Sequence, residues 1–180
     1  NEAFGILSWQ HGTQIYRQGV LSNSGFDILS RIVVASGYVF VATDYLGLGV
    51  SDDIHPYIIK DPTANSVIDM IRATRNYFAE NSQIQLNRQL SLFGYSEGGY
   101  ATLAAQKVME QDLSDEFELM VSFPMAGPYD LSGSLNVPGD TDNLLVKEAS
   151  QKVINSCKIK NKTCGIQIRD VSTENIIKNL

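Results

Sequence analysis

The sequence predicts an α/β fold: a mostly parallel sheet of about four strands with helices on both faces. Three observations predict it. Hydrophobic residues make up 43% and charged residues 19% of the 180 residues, the balance of a globular chain large enough to bury a core. Short apolar runs alternate with segments of helical periodicity, in the order strand, helix, strand, helix, strand, helix, strand, which calls for parallel pairing through right-handed crossovers. The loops richest in glycine and polar residues follow the strands, and on an open parallel sheet ligand chemistry belongs at the strands' carboxyl ends.

Phe4 to Gln10 reads as a buried strand, ended by His11-Gly12-Thr13. A loop rich in Gly, Ser and Asn leads to Phe26, Leu29, Ile32 and Val33, spaced as one apolar helical face, with Gly37 placed to end that helix. Tyr38 to Ala42 is a second strand. Asp61-Pro62 is a helix start, with Asp as N-cap and Pro at the first helical position. Ala64, Val67, Ile68, Ile71, Thr74 and Phe78 share one face of the long helix that follows. Gln89 to Phe93 is the third strand, and Tyr100 to Gln111 is helical. Glu118 to Phe123 is the fourth strand, terminated by Pro124 and Gly127-Pro128. Past Asp130 the pattern weakens, with a candidate helix over 143–154. A core unit over residues 1–131 and a separate region over 132–180 are expected.

The formal net charge is −6 with no basic stripe, which argues against nucleic acid or an anionic membrane as a partner. Lys152, Lys158, Lys160 and Lys162 make the last stretch locally basic, as a solvated face does. No apolar run reaches membrane-spanning length. Cys157 and Cys164 are the only cysteines, and two readings stand: a small disulfide of an oxidising compartment, or two free thiols. They make no zinc site, which needs four ligands. Asn161-Lys162-Thr163 is a glycosylation sequon of a kind that also arises by accident. No metal and no cofactor are expected.

The chemistry centres on Gly94-Tyr95-Ser96-Glu97-Gly98, a Gly-x-Ser-x-Gly pentad between a strand and a helix. In a nucleophile elbow the serine takes a strained conformation that lifts its hydroxyl above the sheet, and side chains at the two glycine positions would collide with the turn. Gly99 would let the helix approach the sheet closely. Glu97 reads as a solvent-facing or supporting side chain rather than a catalytic acid. A P-loop is excluded because Tyr100, not Lys, follows Gly99. Gly47-Leu48-Gly49 lacks the third glycine of a dinucleotide fingerprint, since Asp52 takes its place.

Acyl transfer also needs two backbone N–H donors for the developing oxyanion. The amide of Glu97, next after the serine, is one. His11-Gly12-Thr13 follows an earlier strand and offers Thr13 as the other, with His11 holding the loop rather than taking a proton. His11, Gly12 and Tyr95 are expected in the binding region. Asp44 reads as a carboxylate tying down the glycine-rich turn Gly47 to Gly49. A structural or pocket role fits His55 better than that of a base, and a turn-stabilising role fits Asp130 better than that of a triad acid. A serine nucleophile needs a base, yet no histidine follows Ser96.

Five segments in order resemble the α/β-hydrolase superfamily, and within it the secretory lipase and esterase branch. They are Gln10 to Thr13, Asp44 to Gly49, His55 to Tyr57, Gly94 to Tyr100 and Gly127 to Asp130. The resemblance covers about residues 4 to 133. It implies that the four strands are the third to sixth of an eight-stranded sheet. It also implies that the acid and the histidine come later, in the order Ser, Asp/Glu, His. Residues 132–180 would then begin a cap or lid, carrying the cysteine pair.

The expected function is therefore hydrolysis of a carboxylic ester or lipid by Ser96, with the Thr13 and Glu97 amides as oxyanion donors, in a secreted protein. This chain is expected to be an internal fragment, inactive alone and, with its sheet edges unpaired, prone to aggregate. A peptidase of the same superfamily is one alternative. A binding module without a triad is another, and a metal hydrolase is disfavoured because two separated histidines make no ligand cluster.

Overall fold

The structure, a computed structural model, describes residues 2–25, 27–81 and 84–129. Its elements are β1 (Glu2–Ala3), β2 (Gly5–Gln10), α1 (Leu21–Ser24), α2 (Ile28–Ala35), β3 (Tyr38–Ala42), α3 (Lys60–Asn81), β4 (Gln85–Leu86), β5 (Gln89–Tyr95), α4 (Glu97–Asp112) and β6 (Glu118–Met125). The main sheet runs β3-β2-β5-β6 with every neighbouring pair parallel, the α/β architecture expected. The chain steps one way across the sheet from β2 to β3, then the other way to β5 and on to β6. Right-handed crossovers therefore put α2 on one face and α3 and α4 on the other. Accordingly α3 packs on α4, while α2 packs on β3.

The core lies between the sheet and the α3/α4 layer. Ile6, Leu90 and Leu92 of the strands meet Val67, Ile68 and Ile71 of α3 and Ala101, Ala105 and Met109 of α4. The face expected of the long helix is the buried one, with Ala64, Val67, Ile68 and Ile71 all sealed from solvent. Arg72 and Arg75 of α3 close the bottom of this layer. Arg72 makes a two-pronged ion pair with Glu116, at 2.6 and 2.7 Å, and Arg75 lies over the Phe117 ring. The pairing holds the Glu116 carboxyl below its ordinary range.

Several details differ from expectation. Helix α3 starts at Lys60, so Asp61 and Pro62 lie inside its first turn, where an acidic side chain and a missing N–H are both tolerated. Asp27 caps α2 by accepting from the Ser30 N–H (2.9 Å). Of the apolar face expected there, Leu29 and Val33 are half-buried, but Ile32 is 58% exposed and the sealed residue is Ser30. A helix laid against one edge strand buries only a narrow stripe. Strand β6 continues through Pro124 to Met125. Met125 turns its carbonyl toward β5, so Pro124 faces away from it, and its lack of an N–H costs no ladder bond. Helix α1 and the small parallel β1–β4 pair were not expected from the sequence. The separate region expected over 132–180, the helix over 143–154, the cysteines, the sequon, Asp130 and Phe26 lie outside the described residues.

Candidate functional site

Strand order reverses between β2 and β5, whose carboxyl ends lead to helices on opposite faces. This is where an open α/β sheet forms a crevice. Both ends carry the residues singled out above.

Ser96 is the one residue between β5 and α4. Its backbone sits at φ 60°, ψ −121°, a conformation that costs a non-glycine residue on the order of 1–3 kcal/mol. The surroundings hold it there. The Ser96 N–H donates to the Met125 carbonyl (2.9 Å), and the Ser96 carbonyl accepts from the Tyr100 N–H (3.1 Å). A Cβ on Gly98 would overlap the Gln10 carbonyl, one on Gly94 the Gly98 carbonyl, and one on Gly99 the Met125 carbonyl. The start of α4 is thus pressed against the ends of both β2 and β6. Tyr95, beside the serine, is 56% exposed.

The turn after β2 adjoins this one. A Cβ built on Gly12 would lie 3.6 Å from Ser96 Cβ. Gln10 locks the two strands together from inside. Its Oε1 accepts from the Phe93 N–H (3.2 Å) and the Thr102 hydroxyl (2.7 Å), and its Nε2 donates to Ser8 Oγ (2.7 Å). Among the described residues, neither the Thr13 N–H nor the Glu97 N–H donates a hydrogen bond. Two unspent backbone donors therefore belong to the two turns that meet at Ser96.

The chain's two histidines are both buried and both occupied. His11 has Nδ1 2.7 Å from the Gly12 carbonyl and Nε2 3.3 Å from the Asp44 carbonyl, and its ring lies against Tyr45. Carbonyls only accept and a neutral imidazole has one N–H, so His11 donates to one of the two, and with both nitrogens turned to backbone carbonyls it holds the loop. His55 donates from Nδ1 to the Leu46 carbonyl (2.9 Å), and its Nε2 lies 2.6 Å from Glu97 Oε1 with both side chains fully buried. Glu97 is a supporting side chain, therefore, and not a solvent-facing one. Its second oxygen, Oε2, is buried with no partner among the described residues.

The loop between β3 and α3 supplies further ties. The Tyr45 hydroxyl donates to the His11 carbonyl (3.0 Å), and the Tyr57 hydroxyl is 2.9 Å from Thr13 Oγ1. Burial pushes Tyr45 well above the ordinary phenol value, and the nearby Glu97 adds to this. Burial also raises Tyr57, opposed by its bond to Thr13 and assisted by Glu97. Asp44 accepts from the hydroxyl and, at 3.5 Å, the N–H of Ser22, and it packs where a Cβ on Gly49 would be. The carboxylate's hydrogen bonds go to α1 and not to the glycine-rich turn, which it only packs against at Gly49. A cleft of about 620 Å³ opens between this loop and the start of α3, lined by Tyr45, Leu48, Pro62 and Asp69 among others, but Ser96 does not line it. No group of three or more His, Cys, Asp or Glu side chains is placed to hold a metal among the described residues. Sequence reasoning did not find the roles of Gln10, Tyr45 and Tyr57 or the His55–Glu97 contact. Gln10 did stand in the Gln-His-Gly-Thr segment.

The chain superposes on the rice cell wall degrading esterase LipA from Xanthomonas oryzae with a TM-score of 0.63 and 36% identity, over 70% of this chain and 34% of that one. A candidate hydrolase from Legionella pneumophila gives a TM-score of 0.61 and 30% identity, over 71% of this chain and 35% of that one. The chain thus spans about a third of the length of these solved structures, and its four strands and three main helices are part of an α/β-hydrolase fold. No curated protein matches the sequence. Residues 22–122, more than half of the chain, match the family model of secretory lipases, and the chain belongs to that family.

Proposed function

We propose that this chain carries the nucleophile and oxyanion-binding part of a secreted serine hydrolase of carboxylic esters. The observation that carries the reading is Ser96 at φ 60° between a strand and a helix N-terminus, with the Gly12 turn packed against it. In the reading, Ser96 Oγ attacks the ester carbonyl carbon, and the carbonyl oxygen takes up negative charge. The Thr13 and Glu97 N–H groups stabilise that oxygen, and collapse expels the alcohol to leave an acyl-serine that water hydrolyses. Both histidines are committed to carbonyls or to Glu97, so the base that takes the serine proton comes from outside these 180 residues. The esterase among the solved relatives, about three times as long, favours an ester over an amide substrate. The family's description, secretory lipase, supports export.

A fluorophosphonate probe and a p-nitrophenyl ester, applied to the full-length protein, test the reading. Labelling at Ser96 is expected, and Ser96→Ala should lose labelling and at least about 10³-fold in kcat. Undiminished labelling or turnover in Ser96→Ala would remove Ser96 as the nucleophile.

A further inference from the structure

The loop between β3 and α3, residues 43–59, reaches the site without contributing a reacting group. Three of its side chains end on the two segments that hold the unspent amides. Tyr45 donates to the carbonyl of His11, and Tyr57 bonds the side chain of Thr13. His55 bonds the side chain of Glu97, the residue whose amide follows Ser96. His55 is itself fastened to the loop backbone at Leu46. Cross-ring contacts tie the three together. Tyr45 stacks on His55 with centroids 6.0 Å apart, and His55 meets Tyr57 edge-on at the same distance.

We propose, building on the reading of Ser96, Thr13 and Glu97 above, that this loop is a clamp setting both oxyanion donors, with His55 and Tyr57 as its positioning residues. The two donors lie on different strands' turns: backbone contact between Gly98 and Gln10 brings the turns together, and the loop adds a side-chain tie to each donor's residue or its neighbour. The loop measures that separation with one rigid cluster, His55 toward one donor and Tyr57 toward the other. Glu97 is sealed from solvent, its partner His55 is fastened to Leu46 on the other side, and its Oε2 has no partner among the described residues. Because Nδ1 donates to a carbonyl, one proton lies between Nε2 and Oε1. A glutamine amide could supply that same bond while placing its carbonyl at the Oε2 position.

The test uses the full-length protein, with kcat and KM for a p-nitrophenyl ester and the affinity for a boronic acid that forms a tetrahedral adduct. Glu97→Ala removes the clamp's hold on that end, and a donor displaced even slightly costs on the order of 10²-fold. The loss should fall in kcat and in boronate affinity, with KM changed less than about threefold, because the donors act on the tetrahedral state. Glu97→Gln should recover most of the kcat lost in Glu97→Ala. Tyr57→Phe, at the half-buried end of the clamp, should lower kcat roughly fivefold with the same split, and it decides the matter if Glu97→Ala does not fold. Unchanged kcat in folded Glu97→Ala or Tyr57→Phe, a loss carried by KM, or no recovery in Glu97→Gln would overturn the clamp. If Ser96→Ala stays active the nucleophile reading fails. If Ser96→Ala is dead while the clamp variants are unaffected, only the clamp fails.

Discussion

The turn at Ser96 and the loop over residues 43–59 both shape the site, but different forces determine them. The turn is set by backbone contact: Gly94, Gly98 and Gly99 each lie where a single Cβ would overlap a carbonyl. The loop folds on itself by a backbone contact at Gly47, but its reach to the site is set by side-chain bonds: Tyr45, His55 and Tyr57 each reach a distant segment through one polar contact. A steric constraint has no partial form, whereas polar ties come off one by one. Damage to the turn should therefore be all-or-none, and damage to the loop should be graded.

The largest effect is expected at Gly98. Gly98→Ala places a methyl group on the Gln10 carbonyl, which belongs to a buried strand end and cannot retreat. A cost of about 3 kcal/mol or more is expected, with loss of esterase activity, read by urea denaturation and p-nitrophenyl ester turnover. A variant of native stability would show that the turn has slack, and the contrast with the loop would collapse.

Gln10→Ala is expected to come next. The change strips the acceptor from the Phe93 N–H and the Thr102 hydroxyl, both inside the sheet–α4 contact. Unpaired buried donors cost about 1–3 kcal/mol each, so a loss of about 2–4 kcal/mol is expected in the urea midpoint. Gln10 thus joins the two regimes, since a polar network here supports the strand end that Gly98 presses against. A loss below about 1 kcal/mol would mean that water replaces Gln10 and that steric contact alone holds the turn.

The same division explains what was legible in the sequence. Backbone collision leaves glycine at fixed spacing, so Gly94, Ser96 and Gly98 could be read locally, and the burial of α3 left its period in Ala64, Val67, Ile68 and Ile71. The pairs His55–Glu97 and Thr13–Tyr57 are 42 and 44 residues apart, and nothing in either residue's neighbours announces the other. Glu97 stands at a variable position of its pentad, so its burial could not be foreseen from the pattern. Pro124 was read as a stop because a proline's effect depends on which edge of the strand it faces, a fact of sheet order and not of local sequence.

The smallest effect belongs to one tie of the loop, and Tyr45 is its clearest case. Tyr45→Phe removes a buried hydroxyl and leaves the His11 carbonyl without that donor, for about 1 kcal/mol near neutral pH. The phenol's own titration gives a second reading. Its folded value is raised above the ordinary 10.0, first by burial and then by Glu97. The hydroxyl's contribution is therefore fully present below pH 10 and is lost as pH climbs from there through the folded value. Urea midpoints between pH 8 and 11 should fall for the parent protein and fall less steeply for Tyr45→Phe. A residual slope should remain in the variant, because burial also raises Tyr57, and raises Tyr100 to about 12. If both proteins lose stability in parallel above pH 10, Tyr45 is no tie at all. The loop would then be held by packing, as the turn is, and the two regions would not differ in kind.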